Sequence, residues 1–282
     1  MKLCAVALCW LMLTSAEAAP KILVLGHRGA RAMRPENTIP GFVYAIAQGV
    51  DALELDVVVT QDDHVVVAHD LNMNRAICQG PAGRERAIRE LTLAQVREWD
   101  CGSLKNPEFP NQQIVPGTRM PTLDEVFDLA PQGNFEFNVE TKIDARYPEL
   151  SPEPAAFARL VVEAVRRHHL QSRVVVQSFD FRILAEVRKL APEIRLSALY
   201  MNLPKDFVRI SQEAGGTPIV SPHWMLVTKN KVAAAHKAGL KVIAWTANTP
   251  GAWEKLIKAH VDGIITDDPA ALIAYLRTKN PR

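Results

Sequence analysis

The chain has 282 residues, 48% of them apolar, enough to bury the core of one large domain or two small ones. Its 33 basic and 31 acidic residues leave a net charge of +2. That near balance offers no electrostatic footprint for nucleic acid or for an anionic membrane surface, so neither is expected as a partner.

The first eighteen residues read as an export signal. Lys2 supplies a positive start, an apolar run covers residues 3–13, and Ala16-Glu17-Ala18 has the small-x-small pattern of a cleavage site. The run is too short to serve as a permanent membrane anchor. Cleavage after Ala18 would leave a periplasmic or secreted chain with residues 19–282 as a single domain. Cys4 and Cys9 would depart with the signal, leaving Cys78 and Cys101. In an exported protein that pair suits one disulfide; the alternative is two buried free thiols.

From residue 22 on, short β-rich apolar runs alternate with helical patterns. A buried strand is expected over 22–26. A helix follows over 35–49, with Thr38, Phe42, Ala45 and Ile46 at helical spacing and Gly49 capping its end. Strands over 52–59 and 64–68 flank a turn at Gln61-Asp62-Asp63. Residues 71–120 hold no clean strand–helix unit. They contain both remaining Cys, several Pro and Gly, and a short helical patch at 91–99. A helix at 123–130 precedes a strand at 134–140 and a helix at 153–168. Strands at 173–178, 195–199, 218–221, 241–245 and 263–266 then alternate with helices at 181–190, 205–214, 230–238, 250–259 and 269–279.

Strands that are followed by helices begin near residues 22, 52, 134, 173, 195, 218, 241 and 263. Eight such units close a TIM (β/α)8 barrel. An open doubly wound sheet is the rival, but it would carry a Gly-rich dinucleotide fingerprint after its first strand, and Gly26-His27-Arg28-Gly29 is not one. Residues 71–120 then form an insertion after the second strand region, over the mouth of the barrel.

Barrel enzymes place their chemistry at the C-terminal ends of strands. His27 and Arg28 follow the first strand, His69 follows an apolar run, and Glu140 ends one with Lys142 two residues beyond. Gln177, Ser178, Trp245, Thr266 and Asp267 also stand at strand ends. Glu54 and Asp56 alternate with Leu53, Leu55 and Val57, so both point to one face. A row of buried acids needs a cation. Glu54, Asp56 and Glu140 offer only oxygen, which suits one hard divalent ion, Ca²⁺ or Mg²⁺. Such an ion polarises a phosphoryl oxygen, and Arg28 and Lys142 would offset charge in the transition state. His27 and His69 would exchange the protons, in an order the sequence leaves open. Taken singly, each residue has a plainer reading: a lone His is a common structural hydrogen bonder, and Glu140 can pair with Lys142 alone.

The matching segments are Gly26-His27-Arg28-Gly29, Pro35-Glu36-Asn37-Thr38, Glu54-Leu55-Asp56-Val57, Thr60-Gln61-Asp62, His69-Asp70, Pro121-Thr122-Leu123-Asp124-Glu125, Glu140-Thr141-Lys142, Gln177-Ser178-Phe179-Asp180, Trp245-Thr246-x-Asn248 and Asp262-Gly263-Ile264-Ile265-Thr266-Asp267. In that order they resemble the glycerophosphodiester phosphodiesterase family. The resemblance implies a TIM barrel with an insertion, and metal-dependent hydrolysis of a small glycerophosphodiester to glycerol 3-phosphate and an alcohol. It implies that His27 and His69 are the acid–base pair and that Glu54, Asp56 and Glu140 bind the metal. It places Arg28 and Lys142 on the phosphate, Trp245 against the glycerol or alcohol part, and Glu36 and Asn37 as supports of the first loop. Lysophospholipase D or a phosphoinositide-type phospholipase on the same fold is the alternative. The insertion is equivocal on this point, with Trp99 and Phe109 beside Arg84, Arg86 and Arg89. A binding protein that keeps the barrel without catalysis is a third reading.

Overall fold

The computed structural model describes residues 21–81, 86–202 and 205–279. The export signal expected over 1–18 and Arg84 of the insertion lie outside these residues. The elements run β1 (Leu23–Gly26), α1 (Ile39–Gln48), β2 (Ala52–Val59), β3 (Val65–Val67), α2 (Leu93–Val96), α3 (Leu123–Phe127), β4 (Glu136–Thr141), α4 (Pro154–Arg167), β5 (Val174–Ser178), α5 (Phe181–Leu190), β6 (Arg195–Tyr200), α6 (Phe207–Glu213), β7 (Ile219–Pro222), α7 (Lys229–Lys237), β8 (Lys241–Ala244), α8 (Pro250–Ala259), β9 (Gly263–Thr266) and α9 (Pro269–Lys279).

β1 pairs in parallel with both β2 and β9, so the sheet closes on itself. Around the ring the order is β1, β9, β8, β7, β6, β5, β4, β2; β3 stands outside it, antiparallel on β2. This is the expected TIM barrel. One apolar layer lies between strands and helices, where Leu53, Leu55 and Val57 of β2 share a core with Phe42, Phe157 and Phe207. A second layer plugs the barrel's interior with Leu25, Ala52, Val175, Ile219, Ile243 and Ile265. Strand alternation carries the inward face of β2 from Ala52 to Glu54 and Asp56, and that of β5 from Val175 to Gln177. The interior therefore turns from apolar to polar toward the C-terminal ends of the strands. The polar groups there answer one another: Asn138 Nδ2 donates to Gln177 Oε1 (3.0 Å), and Ser197 meets Ser221 (2.8 Å).

Helix α1 begins four residues later than its spacing predicts. Thr38 is extended and its hydroxyl accepts the Gly41 N–H, so Thr38 is the N-cap. Asn37 before it is left-handed (φ 54°), which no continuing helix tolerates. Residues 35–37 are thereby freed from the helix, and Glu36 and Asn37 turn toward the barrel's mouth.

The insertion is a folded unit. The β2–β3 hairpin projects beyond the barrel rim, and Val58 and Val66 share a small core with Met73, Ile88, Leu91, Val96, Trp99 and Met120. It reaches the first loop through Asn106, whose Nδ2 donates to Glu36 Oε2 (3.2 Å), and Gln112, whose Nε2 donates to the Arg31 carbonyl (2.7 Å). Cys78 and Cys101 are joined by a disulfide, settling the open choice at these positions. Beside it Gly80 lies flat on Trp99: a Cβ there would fall 2.1 Å from the indole ring.

Closing a loop of this size, 23 residues apart in sequence, restricts the unfolded chain by about 3 kcal/mol. A domain this large shifts its Tm by roughly 2–4 °C per kcal/mol. Reduction, or Cys101→Ser, is therefore expected to lower the calorimetric Tm by roughly 6–12 °C. An unchanged melt would mean the bridge carries no weight.

Candidate active site

Glu54 and Asp56 alternate along β2, and β4 lies beside it with Glu140 in register with Asp56. This places three buried carboxylates with an oxygen from each within 4.8 Å of the others. Each is held from outside the group. Gln177 Nε2 donates to Glu54 Oε1 (3.0 Å), and the Arg28 backbone N–H donates to Glu54 Oε2 (2.9 Å). Asn37 Nδ2 donates to Asp56 Oδ2 (2.9 Å), and Lys142 Nζ donates to Glu140 Oε1 (2.7 Å). Asp56 Oδ1 is buried without a hydrogen-bond partner among the described residues, with the Lys142 ammonium 3.6 Å away.

Burial, with Asp56 and Glu140 close by, pushes Glu54 well above the usual carboxylate range. Burial also raises Glu140, with Asp56 adding to it and Lys142 opposing. Burial would raise Asp56 as well, but Lys142 and Arg28 outweigh it and hold that carboxyl below its usual range. The group thus lacks positive charge, and its all-oxygen donor set with an orphaned Asp56 oxygen fits a hard divalent cation.

A pH linkage follows. An acid whose folded pKa is raised binds protons that an incoming cation must displace. Above that pKa the ionised form costs the cation-free fold stability, and the cost is relieved as pH falls and the carboxyl protonates. The Tm gained from excess divalent cation over EDTA should therefore be larger at about pH 7.5 than at about pH 5. A gain that grows toward acid would contradict this electrostatic picture.

His27 and Arg28 occupy the loop after β1. Arg28 is left-handed (φ 50°), and Gly29 (φ 86°) passes so close to α1 that a Cβ would sit 2.8 Å from the Gly41 carbonyl carbon. That tight turn aims the Arg28 N–H at Glu54 and its guanidinium at Glu36 (2.6 Å) and Asp56 (3.3 Å). Burial opposes the charge on Arg28, but Asp56 and Glu36 more than offset it and hold the group firmly protonated. Glu36 is also bound by Arg31 (3.2 Å).

The two imidazoles are braced alike. His27 Nδ1 meets Asp267 Oδ1 at 2.5 Å, and its Nε2 lies 4.0 Å from Glu54 Oε2. His69 Nδ1 meets Asp70 Oδ1 at 2.9 Å, and Asn74 Nδ2 donates to the other Asp70 oxygen (2.6 Å). Burial pushes His27 below its ordinary value against the pull of Asp267. The hydrogen bond from His69 holds Asp70 below the usual range.

These buried acids, their cations and two Nδ1-anchored imidazoles at the mouth of a barrel match a known family over most of the chain: the sequence profile of the glycerophosphoryl diester phosphodiesterase family covers residues 27–271. The chain belongs to that family. A glycerophosphodiester phosphodiesterase of Caldanaerobacter subterraneus subsp. tengcongensis is 33% identical over 260 residues, 91% of this chain and 98% of the relative. Among solved structures, a provisionally assigned glycerophosphoryl diester phosphodiesterase of Silicibacter pomeroyi superposes with a TM-score of 0.87 at 33% identity, over 93% of this chain and 95% of that one. An Oleispira antarctica phosphodiesterase, solved with the product sn-glycerol-3-phosphate, shares the fold with a TM-score of 0.77 at 24% identity, over 90% of this chain and 96% of that one. The chain is thus a phosphodiesterase, an enzyme of the glycerophosphodiester-hydrolysing class.

In this glycerophosphoryl diester phosphodiesterase two clefts meet at the acids. The smaller, about 410 Å³, is lined by His27, Arg28, Glu54, His69, Glu140, Lys142 and Trp245, with Asp56 fully buried behind them. The larger, about 1220 Å³, shares His69, Glu140 and Lys142 and runs out past Asn74, Asp144 and Tyr147. All eight residues singled out from the sequence are therefore brought to one place. Trp245 is fixed in the lining: its Nε1 donates to the Ser221 carbonyl (2.8 Å), and its ring stands edge-on to Phe179 and His223. Sequence reasoning gave no role to Gln177, Asn248 and Asp267, or to Asn74. Gln177 and Asp267 were visible as polar groups at strand ends, and Asn248 only within a segment that resembles the family. Nothing in their spacing says which acid or imidazole each would hold.

Proposed function

We propose that this phosphodiesterase hydrolyses glycerophosphodiesters to glycerol 3-phosphate and an alcohol, using one divalent cation, Ca²⁺ or Mg²⁺, and His27 with His69 for proton transfer. The observation that supports this most is the pair of imidazoles, each anchored through Nδ1 and facing a buried three-acid group. Glu54, Asp56 and Glu140 would hold the cation, which supplies Lewis-acid polarisation of a phosphoryl oxygen when bound. Lys142 and Arg28 line the smaller cleft and offset charge building on the phosphoryl oxygens. Glycerol phosphate fits the smaller cleft against Trp245, in keeping with the product held by the Oleispira antarctica relative. The alcohol then leaves into the larger cleft. His69 lines both clefts and His27 only the smaller one. His69 is thus placed to protonate the leaving alkoxide and His27 to take a proton from the attacking water.

The lipid-directed alternative draws on one observation. Phe179 is 39% exposed and Met201 58% exposed, and both line the smaller cleft. The deciding assay is a panel of glycerophosphodiesters and lysolipids, each with Ca²⁺, Mg²⁺, Mn²⁺ or EDTA. Release of glycerol 3-phosphate from glycerophosphocholine with a divalent cation is expected. Cleavage of lysolipids alone would favour the alternative, full activity in EDTA would remove the cation, and no turnover would revive a binding protein. We further propose a single exported domain over residues 19–282, a reading supported by the Cys78–Cys101 bridge.

A further inference from the structure

Asp267 belongs to none of the groups so far given a chemical role, yet both of its carboxylate oxygens are held at the mouth. It follows β9 directly and is buried (6% exposed). Its Oδ1 meets His27 Nδ1, and its Oδ2 accepts from Asn248 Nδ2 at 2.6 Å. Asn248 cannot turn over. Its Oδ1 accepts the Asp267 backbone N–H (2.9 Å) and the Thr266 hydroxyl (3.2 Å), so its NH₂ must face the carboxylate. The backbone here is also tied to the loop after β1, since the Ala32 N–H donates to the Asp267 carbonyl (3.1 Å) and the His27 N–H to that of Thr266 (2.9 Å).

A carboxylate is an acceptor only, so the proton between Asp267 and His27 resides on Nδ1. The neutral imidazole then presents a bare Nε2 lone pair toward the acids. We propose that Asp267, locked in orientation by Asn248, is the positioning residue that fixes the Nδ1–H tautomer of His27. The inference rests on the reading of His27 as a proton-transfer group and adds what makes it competent.

The geometry dictates how the brace would fail. In D267N the new side chain has one acceptor and one donor end. Asn248 still presents NH₂, so the amide must turn its oxygen to Asn248 and its own NH₂ to His27. His27 must then accept at Nδ1 and carry its proton on Nε2, which disables it as a base. In the exchanged pair N248D/D267N the demands reverse. The carboxylate introduced at position 248 would accept from the position 267 backbone and from the amide NH₂, and the amide oxygen would return to His27 Nδ1. The tautomer is restored although the negative charge has moved to the neighbouring side chain.

The test uses the full-length, cation-loaded enzyme on glycerophosphocholine, with long-range ¹H–¹⁵N NMR of labelled His to read the tautomer, His27 being assigned by its loss in H27N. For D267N, kcat is expected to fall about 10²–10⁴-fold with KM within about threefold, and the His27 proton to move to Nε2. For N248D/D267N, the Nδ1–H signature is expected to return and kcat to recover at least about tenfold over D267N. A role limited to holding the fold predicts no such recovery. The proposal is overturned if D267N keeps kcat within about threefold, or if the exchanged pair is no more active than D267N. Should D267N not fold, the exchanged pair decides alone: it must hold kcat within about tenfold of the native enzyme with His27 protonated at Nδ1. The two readings fail separately. Near-native turnover by His27→Ala would remove His27 from the chemistry, whereas the tautomer shift is read without any turnover.

Discussion

Replacing His69 with Ala is expected to lower kcat on glycerophosphocholine by about 10²–10⁴-fold, and replacing His27 should do the same. The two losses should part company when the leaving group is changed. An aryl leaving group departs as a stable phenolate and needs no proton. If His69 protonates the alkoxide, His69→Ala should recover to within about tenfold of the native enzyme on an aryl glycerophosphate, while His27→Ala stays impaired. The basis is position: His69 borders the large cleft into which the alcohol is proposed to depart, and His27 does not. His27→Asn is the companion variant, because it retains a donor toward buried Asp267 and separates lost chemistry from lost folding. Equal recovery by both variants would reverse or dissolve the assignment.

The parts of this site that were legible in the sequence are those whose geometry is local. Glu54 and Asp56 share a face because strand side chains alternate, and their apolar neighbours, which pack the opposite face, mark the acid face as the odd one. The ring could be counted because each strand is a short apolar run followed by a helical pattern. What stayed hidden depends on contacts between distant segments. His27 and Asp267 are 240 residues apart and meet only because β1 closes the barrel against β9. The late start of α1 was concealed because Thr38 fits the helical spacing as well as it fits a cap. Only the left-handed turn at Asn37, imposed by its bonds to Asp56, distinguishes the two. The insertion announced itself merely as a break in rhythm. Its core forms on the β2–β3 hairpin beyond the rim, a surface that exists only once the barrel is built.

A second large effect separates acids that the sequence cannot tell apart. Glu140→Gln and Asp56→Asn should each reduce divalent-cation affinity and turnover by about 10²-fold or more, since each removes a charged oxygen ligand. Their effects on the cation-free protein should differ in kind. Glu140 is pushed up by burial, so its ionised form costs the fold stability at neutral pH, where the neutral amide relieves that cost. The amide oxygen introduced at position 140 can still accept from Lys142, so the EDTA-treated variant should melt no lower than the parent. Asp56 is held below its usual range against burial by Lys142 and Arg28, so its ionised form contributes stability that is present above the unfolded pKa and lost on acidification. Removing that charge leaves Arg28 with Glu36 and Lys142 with Glu140 but takes away the anion they share, at a cost of about 3–5 kcal/mol. Asp56→Asn in EDTA should therefore melt roughly 6–20 °C lower. Matching melts for the two variants would show that Asp56 is not the anion these cations are built around, and that the three acids share their charge evenly.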